Sequence, residues 1–202
     1  MEFYDFEEQV NQVARIGDIQ KAINMVEIEF KKLEETDFHA IIGRDLLHLA
    51  DDADEFLNSV YEKSKENLDG EIKAIYCEMN GFTINPELWF ATGCSFTFCY
   101  DLEDTDWLAD YEYFYDMAMT ISGLEDLQKT YEDYMINEKW DIEGLELAND
   151  FCALLITLRL LELFKTSFER FKDKSDWTKI PVFVTSHESE AIYRTIAASS
   201  LN

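Results

Sequence analysis

Apolar residues recur at every third or fourth position from residue 3 onward. Phe3, Phe6, Val10 and Val13 share one helical face, and Ile19, Ala22, Ile23, Val26, Phe30 and Leu33 share the next. Gly17-Asp18 lies between the two runs. It is either a short break with Asp18 as N-cap or a weak point in one long helix over residues 3–34. Thr36-Asp37 offers a fresh cap. Phe38, Ile41, Ile42, Leu46, Leu49, Ala53, Phe56, Leu57 and Val60 then carry a second helical segment to residue 66, open to interruption near Gly43.

The period changes at Asp69-Gly70. Residues 71–79 alternate between turn signals at Asp69-Gly70 and Asn80-Gly81. Residues 87–100 are rich in aromatics and Thr, with Phe90, Thr92, Cys94, Phe96, Phe98 and Tyr100 on one strand face. Residues 101–106 read as an acidic loop, and 107–117 alternate again. There Trp107, Ala109, Tyr111, Tyr113 and Tyr115 share one face, while Asp110, Glu112 and Asp116 share the other with Phe114. Three strands with short connections predict an antiparallel meander over residues 71–117.

Helical spacing returns at Ser122, which with Glu125 fits a capping box and opens a helix to Lys139. A long helix follows over residues 142–172. Its centre, from Phe151 to Phe164, is apolar all round, the pattern of a buried axis. Residues 180–185 read as a short strand, with Pro181 implying an edge or first position. Residues 189–199 read as a last helix. No internal repeat or low-complexity linker divides the chain. The expected fold is α+β: a helix-rich single domain over residues 1–202 with a small antiparallel sheet of about three or four strands. Its parts are N-terminal helices over 3–66, the meander over 71–117, and C-terminal helices with a late strand over 122–199.

Charge narrows the partners. The 202 residues hold 43 Asp and Glu against 17 Lys and Arg, a formal net charge of −26. A pI near 4.2 argues against nucleic acid and anionic membranes as partners. Aromatics at 14% exclude a disordered acidic tail. The start, Met1-Glu2-Phe3-Tyr4-Asp5, is acidic rather than the basic opening of a signal peptide. The longest apolar run is interrupted by Thr157, Arg159 and Glu162, and it falls short of the ~20 residues that span a bilayer. The expectation is a cytoplasmic protein.

Motifs for chemistry are sparse. Cys77, Cys94, Cys99 and Cys152 form no CxxC pair. Cys94 and Cys99, five apart, point to opposite faces of a regular strand, so the four read as buried free thiols. His39, His48 and His187 start no H-E-x-x-H. His48 and Asp51 can share a helix face, but no second His supports a metal, and a cap or surface role fits His39 and His48 better. Asp101 as the first position of a calcium loop puts Asp106 where Gly is required, which argues against calcium. No phosphate-binding or nucleophile-elbow motif is present. No catalytic residue, metal site or cofactor is assigned. His187-Glu188, at a strand-to-helix corner, is either a cap together with Thr185 or the seat of an enzymatic function.

One constellation stands out. Between Lys73 and Lys129 there is no Lys, Arg or His, while the segment holds eleven acids and twelve aromatics. Uncompensated acids raise self-repulsion, so a purpose beyond stability is expected. The candidate partner-binding residues are Asp101, Glu103, Asp104, Asp106, Asp110, Glu112 and Asp116. Charge speeds encounter with a basic protein, and aromatic anchors supply affinity. Trp107 is either core or such an anchor; alternation places it opposite the acids, on the core side. In size, charge and layout the chain resembles the immunity proteins of bacterial toxin systems, with no family residue to carry over. That resemblance implies an inhibitor of a basic toxin effector domain rather than an enzyme. The chain also resembles phage-type DNA mimics, but its 47% apolar content leans away from their all-acid surfaces. The alternative is a small enzyme using the His187/Glu188 corner or a carboxylate cluster. A pocket of converging polar side chains near His187 would favour the enzyme, and a broad or grooved acidic surface the inhibitor.

Overall fold

The computed structural model describes residues 3–187 and 189–196. Two helices open the chain, α1 (Phe3–Arg15) and α2 (Ile19–Phe30). Gly17 parts them at φ +84°, a left-handed conformation that glycine adopts without a Cβ clash. The Asp18 side chain makes no cap bond. Phe6, Val10 and Ala14 on α1, with Ile19, Ala22, Ile23, Val26 and Phe30 on α2, form one buried wall, as the spacing predicts.

The segment expected as one long helix is broken. A 3-10 turn (Asp37–Ile41) comes first, then Gly43 at φ +78°, another 3-10 turn (Leu47–Leu49), and α3 (Ala50–Asn67). His39 caps the first turn. Its Nδ1 accepts the Thr36 N–H at 3.0 Å, and its Nε2 faces the Phe30 carbonyl at 3.2 Å.

Among the described residues five strands make one mixed sheet: β1 (Ala74–Met79), β2 (Phe90–Phe96), β3 (Tyr113–Thr120), β4 (Val182–Ser186) and β5 (Tyr193–Arg194). Between β3 and β4 lie α4 (Glu125–Ile136) and α5 (Leu145–Phe171). The strand order is β3-β2-β1-β4-β5. The meander β1-β2-β3 is antiparallel as expected, with Tyr76 opposite Cys94 and Cys94 opposite Phe114. The late strand joins β1 in parallel, Ile75 opposite Val182, so the sheet is mixed and has one strand more than the larger expected number. Pro181 precedes β4, an interior strand, and its carbonyl accepts the Ile75 N–H.

Four further expectations shift. The third strand begins at Tyr113, because residues Asp106–Ala109 form a 3-10 turn. Ser122 forms no capping box; the Glu125 carboxylate instead reaches back to the Gly123 N–H at 2.8 Å. The expected last helix is absent over 189–196, where the chain turns back as β5; residues 197–199 lie outside the described residues. Thr185, expected to cap that helix, donates its hydroxyl to the Ala191 carbonyl at 2.8 Å and closes the β4–β5 turn.

Helices cover one face of the sheet. Leu155, Leu158 and Leu161 of α5 are fully buried, with Ile75, Cys77, Ala91 and Val184 of the sheet in the same core. α3 lies over β2 and β3, and Phe56 meets Tyr115 at 6.1 Å between ring centroids. Among the described residues no helix is long and apolar enough to cross a membrane.

Candidate functional site

Among the described residues no α-helix contributes to the core on the other sheet face. Beyond β2 the chain leaves the sheet and folds back over this face as a lobe, residues 97–112. Trp107, in the 3-10 turn, fastens it. Its ring stacks edge-on against Phe96 at 4.9 Å and Phe183 at 5.1 Å, and its Nε1–H donates to the Asp101 carbonyl at 3.3 Å. Ala74, Phe96, Trp107, Leu108, Phe183 and Ile192 form a second small core. Trp107 is thus a core residue, though it reaches the core from a turn rather than from a strand.

With Trp107 and Leu108 drawn inward, the lobe turns its acids outward. Asp101, Glu103, Asp104, Asp106, Asp110 and Glu112 of the lobe, and Asp116 of the adjoining β3, are all exposed. Two of them also brace the lobe. Asp101 accepts the Leu102 N–H at 2.7 Å and meets Arg194 at 3.0 Å, and these contacts hold its carboxyl below the ordinary range. Glu112 accepts the backbone N–H and the hydroxyl of Thr97 at 2.5 and 2.7 Å, with the same effect. Asp104 accepts the Asp106 N–H at 3.0 Å. Among the described residues Arg194 is the one cation paired with any of the seven. Large apolar groups share this surface: Tyr100 is 59% exposed, Tyr111 48% and Phe114 45%.

Between lobe and sheet runs a cleft of about 690 Å³. Tyr76, Glu78, Thr92 and Cys94 floor it, Asp106, Tyr111 and Phe114 wall it, and Arg15 and Glu190 stand at the side. Its floor is a hydrogen-bonded set. Tyr76 OH donates to Glu78 Oε2 at 2.8 Å, and Glu78 Oε1 meets His187 Nδ1 at 2.6 Å. Burial, then the Glu78 charge, raises the Tyr76 phenol and pushes the Cys94 thiol up to about 12. Both are therefore neutral near pH 7, and the thiol is a poor nucleophile.

Sequence patterning does not bring Glu78 and His187 together. They meet because β1 and β4 pair in parallel, Glu78 beside Thr185 and Met79 beside Ser186. His187 thus sits at the end of a strand, not at a helix start; Glu188 lies outside the described residues. His48 lies against Gly123, where a Cβ would stand 2.9 Å from its Cε1. Among the described residues no three His, Cys, Asp or Glu side chains gather as metal ligands. No protein-family model, curated protein or solved structure matches this chain.

Proposed function

We propose that this chain is an acidic protein-binding inhibitor of the immunity type, acting in the cytoplasm on a basic toxin effector domain. The observation that carries this reading is the lobe with the adjoining β3: seven exposed acids against one paired cation among the described residues, beside a cleft walled by Tyr111 and Phe114. The charge speeds encounter, and the exposed rings supply the desolvated anchors that hold a partner. A lobe fastened by Trp107 presents both on a fixed frame, which reduces the ordering cost of binding.

The test is whether a neighbouring gene encodes a basic toxin domain and, with that domain purified, its association with this chain followed by stopped flow. Changing Asp104, Asp106 and Asp110 to Asn should slow association by about tenfold at low salt and alter dissociation less. The wild-type rate should fall as salt rises, since the screening length at physiological ionic strength is about 8 Å. An unchanged association rate for the triple variant at low salt refutes the reading.

A second reading, an enzyme, is favoured by the Glu78–His187 pair. A carboxylate on Nδ1 fixes a histidine's orientation and tautomer, as a general base requires. The neutral thiol and phenol beside the pair supply no activated nucleophile, so such chemistry would rest on water or a substrate group. His187→Gln separates the two readings: an inhibitor keeps its potency, and an enzyme loses its turnover.

A further inference from the structure

The parallel pair of β1 and β4 opens a second recess, beside His187. At the carboxyl end of β1 the chain turns towards β2 on one side. At the carboxyl end of β4 it turns towards β5 on the other. Where neighbouring strands part in this way, their departing loops leave a crevice, the usual ligand position in open sheets with parallel strands. Here that crevice has a volume of about 400 Å³, within the range of small-molecule sites. The loop after β1, the start of α1 and the first half of α5 close around it.

Its chemistry is one-sided. Glu7 of α1 and Asp150 of α5 both line it, and neither forms an ion pair with Lys, Arg or His among the described residues. Burial raises both carboxyls above their ordinary range, and Glu190 and Asp150 raise Glu7 further. The hydrogen bond to Asp150 comes from the neutral amide of Asn149 at 3.1 Å, and the carbonyl oxygen of that amide is buried without a donor. His187 reaches the crevice with its Nδ1 already engaged by Glu78. Aromatic rings of Phe3, Tyr4 and Phe82 complete the wall. Anions without a resident cation, faced by aromatic rings, are the complement of an organic ammonium group: the carboxylates supply counter-charge and the ring faces hold the alkyl-ammonium surface by cation–π attraction. A bare metal ion would gain nothing from the rings, and among the described residues no third side chain gathers with the two acids as a metal-ligand set.

We propose that the crevice at the carboxyl ends of β1 and β4 binds a small organic ammonium compound, with Glu7 and Asp150 as its counter-charge and Phe82 as a ring face. This site is separate from the acidic lobe and does not depend on the inhibitor reading. The test is titration calorimetry of the full chain with putrescine and with tetramethylammonium, using 1,4-butanediol as a neutral control. Wild-type protein should bind at least one ammonium probe saturably and leave the diol unbound.

Two double variants then locate the binding. Glu7→Gln with Asp150→Asn should weaken it by an order of magnitude or more, whereas Asp104→Asn with Asp110→Asn removes the same formal charge elsewhere and should leave it intact. Phe82→Leu, which alters no charge, should weaken it as well, and circular dichroism checks each variant's fold. The proposal is overturned if neither probe gives saturable heat. It is equally overturned if both double variants weaken binding alike, since that marks diffuse attraction to a chain of net charge −26.

Discussion

Arg159 of α5 meets Glu27 of α2 inside the helical layer, Nη2 to Oε1 at 2.8 Å. This arginine interrupts the apolar centre of α5, yet it is only 7% exposed. Its Nη1 takes Glu162 at 2.9 Å. Glu27 in turn accepts the Gly43 N–H at 3.0 Å and pairs with Lys31 at 3.1 Å. One carboxylate therefore ties α2, α5 and the turn after residue 41. Removing one partner of a buried pair leaves the other charge uncompensated, so Glu27→Gln should cost about 3 kcal/mol in urea denaturation at neutral pH. A loss too small to measure would show that Glu162 alone satisfies the arginine.

The same carboxylate sets a pH dependence. Burial raises the Glu27 pKa, but the Gly43 N–H, Lys31 and Arg159 outweigh it, and the net shift is downward. A depressed folded value favours the charged form in the native state. Its contribution is complete above the unfolded carboxylate range and is lost as pH falls through the folded value. Acid titration of stability should therefore be shallower in Glu27→Gln than in wild type below the ordinary carboxylate range. Parallel curves would contradict this assignment.

Gly93 lies where α3 crosses the sheet. A Cβ there would stand 2.7 Å from Val60 Cγ2 and 3.2 Å from Phe56 Cζ. Gly93→Ala should therefore destabilise by about 1–3 kcal/mol through overpacking. Val60→Ala removes the clashing methyls, so the double variant should lose less than the sum of the single losses, by a coupling of about 0.5–3 kcal/mol. Strict additivity would show that α3 simply shifts aside.

These contacts mark the limit of what patterning conveys. Phe6, Val10, Ile23, Val26, Leu155 and Leu158 announce their helices because burial on one face, or on every face, imposes a local period. Trp107, Tyr111, Tyr113 and Tyr115 mislead because they too alternate. The first belongs to a 3-10 turn that serves a second core, and only the last two belong to a strand. Tyr193 gives no local sign of strand; it becomes one by pairing with Val184 and resting near Gly17. The exposed acids of the lobe follow from composition alone. The Glu78–His187 pair and the crevice beyond it depend on a parallel pairing between strands more than a hundred residues apart, which no local period encodes.

Thiol reactivity should follow burial. Cys77 is fully buried with its thiol raised well above the ordinary value, and Cys94 and Cys152 are pushed up to about 12. Cys99 is only half-buried; burial raises its thiol too, while Arg194 opposes the rise. Because the thiolate is the reactive form, an aromatic disulfide reagent at neutral pH should modify Cys99 alone in the native chain, and slowly. All four should react in denaturant. A second fast thiol in the native protein would contradict the buried positions, and fewer than four in denaturant would reveal a disulfide.

Trp107 of the lobe and Phe114 of the adjoining β3 should respond oppositely. Trp107 is buried against Phe96, Phe183, Phe98 and Tyr100. Truncating a ring so placed costs about 3–5 kcal/mol, and Trp107→Ala should also release the lobe that positions Asp104, Asp106 and Asp110. Phe114 projects into the cleft from β3 beside Tyr111, at 6.0 Å between centroids. Phe114→Ala removes an exposed ring, so stability should stay within about 0.5 kcal/mol of wild type. If the ring anchors a basic partner, its loss should weaken binding by about 2 kcal/mol, roughly thirtyfold in Kd, mainly through faster dissociation. The two variants thereby separate scaffold from contact. Phe114→Ala that folds and binds as wild type removes the cleft from the interface and leaves the lobe's charges alone to account for binding.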